Sequence, residues 1–131
     1  MIDVLYGCAV LGTGGGGPLE DGLKMMSPHF EKGETLKLIT LDELPDDEYV
    51  VTPYGCGAPS AKPDAKFREL EISETAASVL AAQALEEALG KKIYAVGSTE
   101  LGGANTAEAL HAALVMGVPL LDAEPAGRSV P

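Results

Sequence analysis

Apolar residues recur at helical spacing in four stretches of the chain. The first runs from Asp3 to Leu11, and the second begins at Pro18, a residue that suits the first position of a helix. The third keeps one helical face apolar, with the stripe Ala77, Leu80, Ala81, Ala84, Leu85, Ala88 and Leu89. The fourth is built on Ala107, Leu110 and Leu114. These patterns predict four helices, of which the third is the most clearly amphipathic.

Turn and capping residues set the expected helix ends. Pro28 interrupts the second pattern and is expected to kink the helix or to restart it after Ser27. Ser73 is a good N-cap for the third helix. Asn105 and Glu108 have the spacing of a capping box at the start of the fourth.

Short apolar runs between the helices predict strands at residues 36–40, 49–52, 92–97 and 118–121. Residues 60–68 are expected to form an exposed loop. From Tyr49 onward strands and helices alternate, which is typical of a parallel sheet with right-handed crossovers. We therefore expect one α/β domain with an open, mainly parallel sheet and flanking helices.

Composition narrows the function. The 131 residues are 46% apolar but only 5% aromatic, so the core is expected to be aliphatic and rich in alanine. A net charge of −11 argues against nucleic-acid binding, which needs a basic patch. We find no secretory signal and no apolar run approaching the roughly 18 residues of a membrane span. With two cysteines and no disulfide framework, we expect a cytoplasmic protein with free thiols.

A glycine-rich loop spans residues 12–18, where five of seven residues are glycine. One interpretation is a cradle of backbone N–H groups that faces an anionic or carbonyl-bearing ligand at the start of the next helix. The other is a flexible linker or tight turn. The loop lacks the Gly-Lys-Ser/Thr ending of a phosphate-binding P-loop, and a helix rather than a strand precedes it, which disfavours a dinucleotide fingerprint.

Polar and glycine-rich segments follow three predicted strands. Because ligands bind beyond the carboxyl ends of parallel strands, we expect these segments and the glycine-rich loop to converge on one site at the carboxyl edge of the sheet. Glu100, Asp122 and Glu124 are candidate acid/base carboxylates. The candidate substrate-binding residues are Gly14, Gly15, Gly16, Gly17, Cys56, Gly57, Gly102, Gly103, Asn105 and Arg128.

Several of these residues also have a structural interpretation. Glu100 could accept N–H bonds from the glycine-rich loop, Asn105 could cap a helix, and Arg128 could form a surface salt bridge. Cys56 has no histidine placed by sequence to activate it, and Cys8 fits an apolar helix face. His29 and His111 are expected to be solvated. No metal-ligand spacing is present, so we expect no cofactor, and only scattered carboxylates and cysteines could hold a metal.

Four motifs in order resemble the S-methyl thiohydantoin desulfurase family, which is associated with hydantoinase and oxoprolinase-type proteins. They are residues 7–17, the Gly-x-Pro loop at residues 55–59, the Glu-x-Gly-Gly-x-Asn segment at residues 100–105, and the segment at residues 119–131. Glu124 stands where the family pattern has Asp, and Ser129 where it has Ala. The family continues into a second, β-rich domain, so the chain resembles the N-terminal domain alone, trimmed at its start.

The resemblance implies hydrolysis of a small heterocyclic substrate, an S-methyl thiohydantoin, to a hydantoin and methanethiol. As a hypothesis, Glu100 and Asp122 would carry the acid/base work, loop N–H groups would stabilise the intermediate, and Asn105 and Arg128 would bind the ring. A second copy of the chain or a hydantoinase-type subunit is a possible protein partner. The alternative function is a non-catalytic domain for small-molecule binding or subunit assembly.

Overall fold

The computed structural model describes residues 1–55 and 73–129. Within them lie the helices α1 (Ile2–Gly12), α2 (Leu19–Glu31), α3 (Ala77–Leu89) and α4 (Gly103–Met116). The strands are β1 (Leu38–Ile39), β2 (Val50–Val51), β3 (Ala95–Val96) and β4 (Leu120–Leu121), and a short 3₁₀ helix spans Leu41–Glu43. Their order in the sheet is β1-β4-β3-β2, and each neighbouring pair is parallel. The prediction of an α/β domain with an open parallel sheet is confirmed.

Helix α4 is the centre of the packing. On one side it joins α3 and the sheet in an apolar cluster that includes Val51, Val79 and Val96. On the other side it joins α1 and α2 through a cluster that includes Leu5 and Met26. Its own buried residues are mostly small, among them Ala109, Ala112 and Ala113. The described residues therefore have an aliphatic, alanine-rich core, as the composition predicts.

Of the two outcomes expected of Pro28, a restart after Ser27 does not occur, because α2 continues through Pro28 to Glu31. Proline lacks an N–H group, so the carbonyl of Lys24 loses its usual donor at this position. The hydroxyl of Ser27 donates to that carbonyl over 3.1 Å. This bond replaces part of what the proline removes.

The orientation predicted for α3 is wrong. Its buried residues are Ser78, Val79 and Ala82, while Leu80, Leu85 and Leu89 of the predicted stripe are 42–46% exposed. Glu86 accounts for this rotation, because it lies on the same face as Val79 and accepts hydrogen bonds from the Ile93 N–H (2.9 Å) and the Lys92 ammonium (2.8 Å). These bonds tie that face to the start of β3.

Both predicted N-caps are also wrong. The N-cap of α3 is Ala76, and the hydroxyl of Ser73 instead accepts the N–H of Thr75. Helix α4 begins at Gly103, so Asn105 lies inside its first turn. At α4 a side-chain cap is unnecessary, because a carbonyl oxygen of the glycine-rich loop accepts hydrogen bonds from the first N–H groups of the helix.

Three predictions fall partly or wholly on residues 56–72, which lie outside the described residues: the exposed loop at 60–68 and the site residues Cys56 and Gly57. Among the described helices, no helix has both the length and the apolar character needed to span a bilayer.

Candidate functional site

The glycine-rich loop packs on the first turn of α4. The carbonyl oxygen of Gly16 accepts hydrogen bonds from the N–H groups of Ala104 (3.0 Å) and Asn105 (2.9 Å). The first N–H groups of a helix have no partner within it, so this carbonyl supplies the cap that no side chain provides. The loop is thus a packed part of the domain and not a free linker. A role for its N–H groups as a ligand cradle remains a prediction.

Glycine is required here because the loop and α4 approach at backbone distance. Gly16 has φ +73°, and a Cβ built on it would lie 2.7 Å from the Cα of Gly102 and would collide with the hydroxyl of Ser129. A Cβ on Gly102 would lie 2.6 Å from the Cα of Gly16. Any side chain at either position would separate the loop from the helix.

Some loop N–H groups remain available. The N–H of Gly15 is used inside the loop, where it donates to the carbonyl of Gly12 over 2.8 Å. The N–H groups of Gly14, Gly16 and Gly17 donate to no acceptor within residues 1–55 and 73–129. Gly14, Gly16 and Gly17 all have positive φ. Successive N–H groups in such conformations can form a concave anion-binding nest.

Asn105 connects three of the segments that the sequence places in the site. Its backbone N–H bonds the carbonyl of Gly16, and its side-chain Oδ1 accepts the N–H of Gly55 over 3.3 Å. Its Nδ2 donates to Oε1 of Glu100 over 3.0 Å. Asn105 is 8% exposed, so its amide is committed to these neighbours. The glycine-rich loop, the end of β2 and the loop after β3 therefore meet as predicted.

Glu100 lies on a turn that side chains hold in place. The hydroxyl of Ser98 donates to the carbonyl of Glu100 over 2.9 Å, and the hydroxyl of Thr99 donates to the carbonyl of Thr52 over 2.8 Å. With Oε1 held by Asn105, Glu100 is partly exposed, and its Oε2 has no hydrogen-bond donor among the described residues. One carboxylate oxygen is thus fixed and the other is open.

The two carboxylates after β4 differ from each other. Asp122 is exposed, and its backbone N–H donates to the carbonyl of Ile39 over 2.7 Å, which continues the β1–β4 pairing. Glu124 is bound by its own turn, because its oxygens accept the N–H groups of Ala126 (2.8 Å) and Gly127 (2.6 and 2.7 Å). Asp122 therefore has the freer carboxylate of the pair.

The last described segment closes over the glycine-rich loop. Nη1 of Arg128 donates to the hydroxyl of Thr13 and to the carbonyl of Ser129, both over 3.3 Å. The N–H of Ser129 donates to the carbonyl of Leu101 over 2.9 Å. Arg128 makes no salt bridge within the described part of the chain. This segment therefore contacts both the glycine-rich loop and the loop after β3.

A cavity of about 590 Å³, which the sequence did not predict, lies beside Asp122 and Glu124. Residues of α1, β1, α4 and β4 line it, and most are aliphatic, including Val4, Leu36, Leu38, Leu101, Leu110 and Leu120. Ser98 and Leu101, which flank Glu100 closely in sequence, also line this cavity. A groove of about 470 Å³ at the end of α3 has charged walls and lies at the amino end of β3, away from the edge where ligands bind.

His29 is buried and His111 is partly buried beside it, contrary to the expectation that both are solvated. Nδ1 of His29 lies 2.5 Å from Oε2 of Glu34, and its Nε2 lies 2.8 Å from Nδ1 of His111. His29 is 8% exposed. The pKa of His111 is lowered mainly by its own burial and next by the nearby charge of His29, while the negative charge of Glu108 partly offsets both effects. Hydrogen bonding to His29 also lowers the pKa of Glu34. This chain of side chains joins α4 to the C-terminal end of α2 and the residues after it.

Cys8 is buried in α1 with a free thiol, as predicted. Within residues 1–55 and 73–129, no group of three or more His, Cys, Asp or Glu side chains is placed to hold a metal ion.

The chain matches the family described as S-Me-THD-like, N-terminal domain, over residues 1–131. It is also similar to an X-ray crystal structure of a protein from Chromobacterium violaceum, a structural genomics target, with 27% identity and a TM-score of 0.69. The similarity covers 98% of this chain and 34% of that one, so the chain spans about a third of the length of that protein. No curated protein matches the chain.

Proposed function

The chain belongs to the S-Me-THD-like family as its N-terminal domain, and on this premise we propose that it contributes the hydrolytic site of an enzyme that acts on S-methyl thiohydantoin rings. Water adds to the ring carbon that carries the methylthio group, and the carbon–sulfur bond then breaks. The products are a hydantoin and methanethiol. One proton of the water ends on the departing sulfur and the other on the ring nitrogen.

The observation that carries this proposal is the meeting of three segments at Asn105. Its amide fixes Oε1 of Glu100 and leaves Oε2 open, which suits a general base that must hold one orientation. In the proposed mechanism Glu100 takes one proton from the attacking water and delivers it to sulfur, while Asp122 relays the other to the ring nitrogen. Asn105 positions Glu100 and does not bind the ring itself.

Negative charge develops on the added oxygen in the intermediate. The N–H groups of Gly14, Gly16 and Gly17, which have no acceptor within the described residues, are suited to stabilise it. Arg128 is exposed and bound only through Nη1 among these residues, so its other nitrogen atoms can meet a ring carbonyl.

Replacing the base tests the proposal. In the complete protein that carries this domain, Glu100→Gln should lower kcat for methanethiol release by a factor of about 10²–10⁴, the usual contribution of general acid–base catalysis. Glu87→Gln, which alters an exposed glutamate of α3, is the matched control and should leave kcat unchanged. Wild-type turnover in the Glu100 variant would reject the assignment. Ring binding without turnover in the wild type would instead favour the alternative function of a non-catalytic binding domain.

A further inference from the structure

Thr13 ends α1 in a conformation that threonine rarely adopts. Its φ is +48° and its ψ is +32°, and it is the one residue other than glycine with a positive φ among residues 1–55 and 73–129. The residue that follows a helix in this left-handed conformation is usually glycine, because a Cβ is strained there. Threonine suits it poorly, since its side chain branches at Cβ. Strain of this kind persists where the surrounding structure enforces it, and it is common at functional sites.

Backbone contacts fix the position of Thr13. Its N–H donates to the carbonyl of Val10 over 3.3 Å. The preceding residue lies against the loop after β3, because a Cβ built on Gly12 would be 3.2 Å from the Cα of Gly102 and from the carbonyl oxygen of Leu101. A glycine at position 13 would allow all of these contacts without strain. The reason for a threonine must therefore lie in its side chain.

The hydroxyl group of Thr13 contacts Arg128. It accepts a hydrogen bond from Nη1 over 3.3 Å, and the same nitrogen donates to the carbonyl of Ser129 over 3.3 Å. Nε and Nη2 of Arg128 donate to no acceptor within the described part of the chain. Because the guanidinium group is planar and rigid, holding one of its nitrogen atoms restricts where the other two lie.

The backbone on both sides of Arg128 is also held. Before it, the carboxylate of Glu124 binds the N–H groups of the turn that leads to Arg128. After it, Ser129 is fully buried and donates its N–H to the carbonyl of Leu101. The long side chain of Arg128 is exposed, and ordering such a side chain opposes ligand binding. The hydrogen bond to Thr13 orders part of it before a ligand arrives.

Resting on the proposed function, we infer that Thr13 is a positioning residue for Arg128. It holds Nη1 at the glycine-rich loop, so that Nε and Nη2 are kept for the carbonyl group of the substrate ring. The strained backbone at position 13 is retained because glycine, which would relieve the strain, has no hydroxyl group. Thr13 itself contacts neither the ring nor the attacking water, and its effect on the reaction passes through Arg128.

Three substitutions in the complete protein separate the hydroxyl group from the backbone conformation. Thr13→Val keeps the branched side chain but removes the acceptor, so it should raise KM for an S-methyl thiohydantoin about tenfold with a smaller change in kcat. Thr13→Ser keeps the hydroxyl group and should retain the wild-type KM. Thr13→Gly should raise KM as Thr13→Val does, but it should also raise the midpoint of urea unfolding, because glycine adopts this φ without strain.

Thr75→Val is the matched control, since it makes the same change at an exposed threonine before α3 and should leave KM unchanged. A wild-type KM in Thr13→Val would overturn the inference. A Thr13→Ser variant as impaired as Thr13→Val would do so too, because the hydroxyl group would then not be the feature that matters. A Thr13→Gly variant less stable than the wild type would show that threonine is kept for stability, which also contradicts the inference.

A measurement without substrate tests the contact independently of the proposed function. Phenylglyoxal adds to arginine guanidinium groups, and its rate of reaction at Arg128 can be followed by mass spectrometry of the peptide that contains this residue. The rate should rise severalfold in Thr13→Val and stay at the wild-type value in Thr13→Ser. Equal rates in all three proteins would overturn the inference. The expected rates in a wild-type protein that turns over no S-methyl thiohydantoin would reject the proposed function and leave the positioning of Arg128 standing.

Discussion

Ser129 carries a hydroxyl group that folding buries without a hydrogen-bond partner among the described residues. Its side chain packs against Gly16 and Gly102, and the family pattern has alanine at position 129. A buried polar group without a partner costs about 1–3 kcal/mol. Ser129→Ala should therefore raise the free energy of unfolding by about 1 kcal/mol, measured by urea denaturation.

Ser27→Ala is the control for this prediction, because the Ser27 hydroxyl has an acceptor in the carbonyl of Lys24. Its loss should lower stability by about 0.5–1 kcal/mol. A Ser129→Ala variant that is less stable than the wild type would show that its hydroxyl forms a bond in the folded protein.

Gly16 and Gly33 allow two costs of adding a side chain to be measured separately. One is the strain of a positive φ, and the other is the collision with neighbouring atoms. Their φ values are +73° and +66°, but a Cβ on Gly16 would collide with backbone and with Ser129, whereas a Cβ on Gly33 has nothing within 4 Å. Gly33→Ala should cost only the conformational strain, about 1–2 kcal/mol. Gly16→Ala should cost at least about 2 kcal/mol more, because the loop must also move away from α4. Equal losses in thermal or urea unfolding would contradict the close packing of the loop.

The contacts among Glu100, Asn105 and the glycine-rich loop were predictable, because parallel strands bring the segments after their carboxyl ends to one edge. The chemical role of each of these residues was less predictable than the contacts. Glycine content indicates close approach, but it does not tell that Gly16 contributes its carbonyl to α4. Nor does the spacing of Asp122 and Glu124 reveal that Glu124 is held by its own turn. The cavity had no sequence signal, since its walls come from residues scattered between Met1 and Glu124.

Helix α3 shows why an amphipathic pattern can identify an element and still assign the wrong buried face. Alanine and leucine occur on more than one of its sides, so area alone hardly separates the possible rotations. The bonds from Ile93 and Lys92 to Glu86 then decide the rotation. The helix itself was predicted, because its length and its glycine C-cap depend only on local sequence. Its orientation depends on hydrogen bonds to residues beyond its C-terminus, which the helical pattern does not show.

The joint between α2 and α4 should respond to pH. Burial lowers the pKa of His111 below its ordinary value of 6.5, so the folded protein binds fewer protons there than the unfolded chain does. Stability linked to His111 is therefore present above this value and is lost as the pH falls below it. Glu34 and Glu108 face the two histidines, and hydrogen bonding to His29 lowers the pKa of Glu34, so Glu34 stays charged while the pH is kept above about 5.5.

Urea denaturation between about pH 8 and pH 5.5 measures this loss, which we expect to be monotonic. His111→Gln keeps a polar side chain beside His29 but cannot titrate, so the slope of stability against pH should become smaller. An unchanged slope would place the titrating group elsewhere in the protein.

The net charge affects the stability of the whole protein. Twenty acidic residues against nine basic ones give −11, and repulsion among them opposes the compact state. Added salt screens this repulsion, since the Debye length falls from about 30 Å at 0.01 M to about 8 Å at 0.15 M. It also weakens surface ion pairs such as Lys92–Glu86, but such pairs contribute only about 0–1 kcal/mol each.

The loss of repulsion should therefore outweigh the weakening of ion pairs. Tm should rise by a few degrees between about 0.01 and 0.15 M salt, which corresponds to an increase in the free energy of unfolding on the order of 1 kcal/mol. Sodium chloride and potassium chloride should have the same effect at equal ionic strength, because screening depends on charge and not on ion identity. A Tm that falls with salt would mean that ion pairs outweigh the net repulsion.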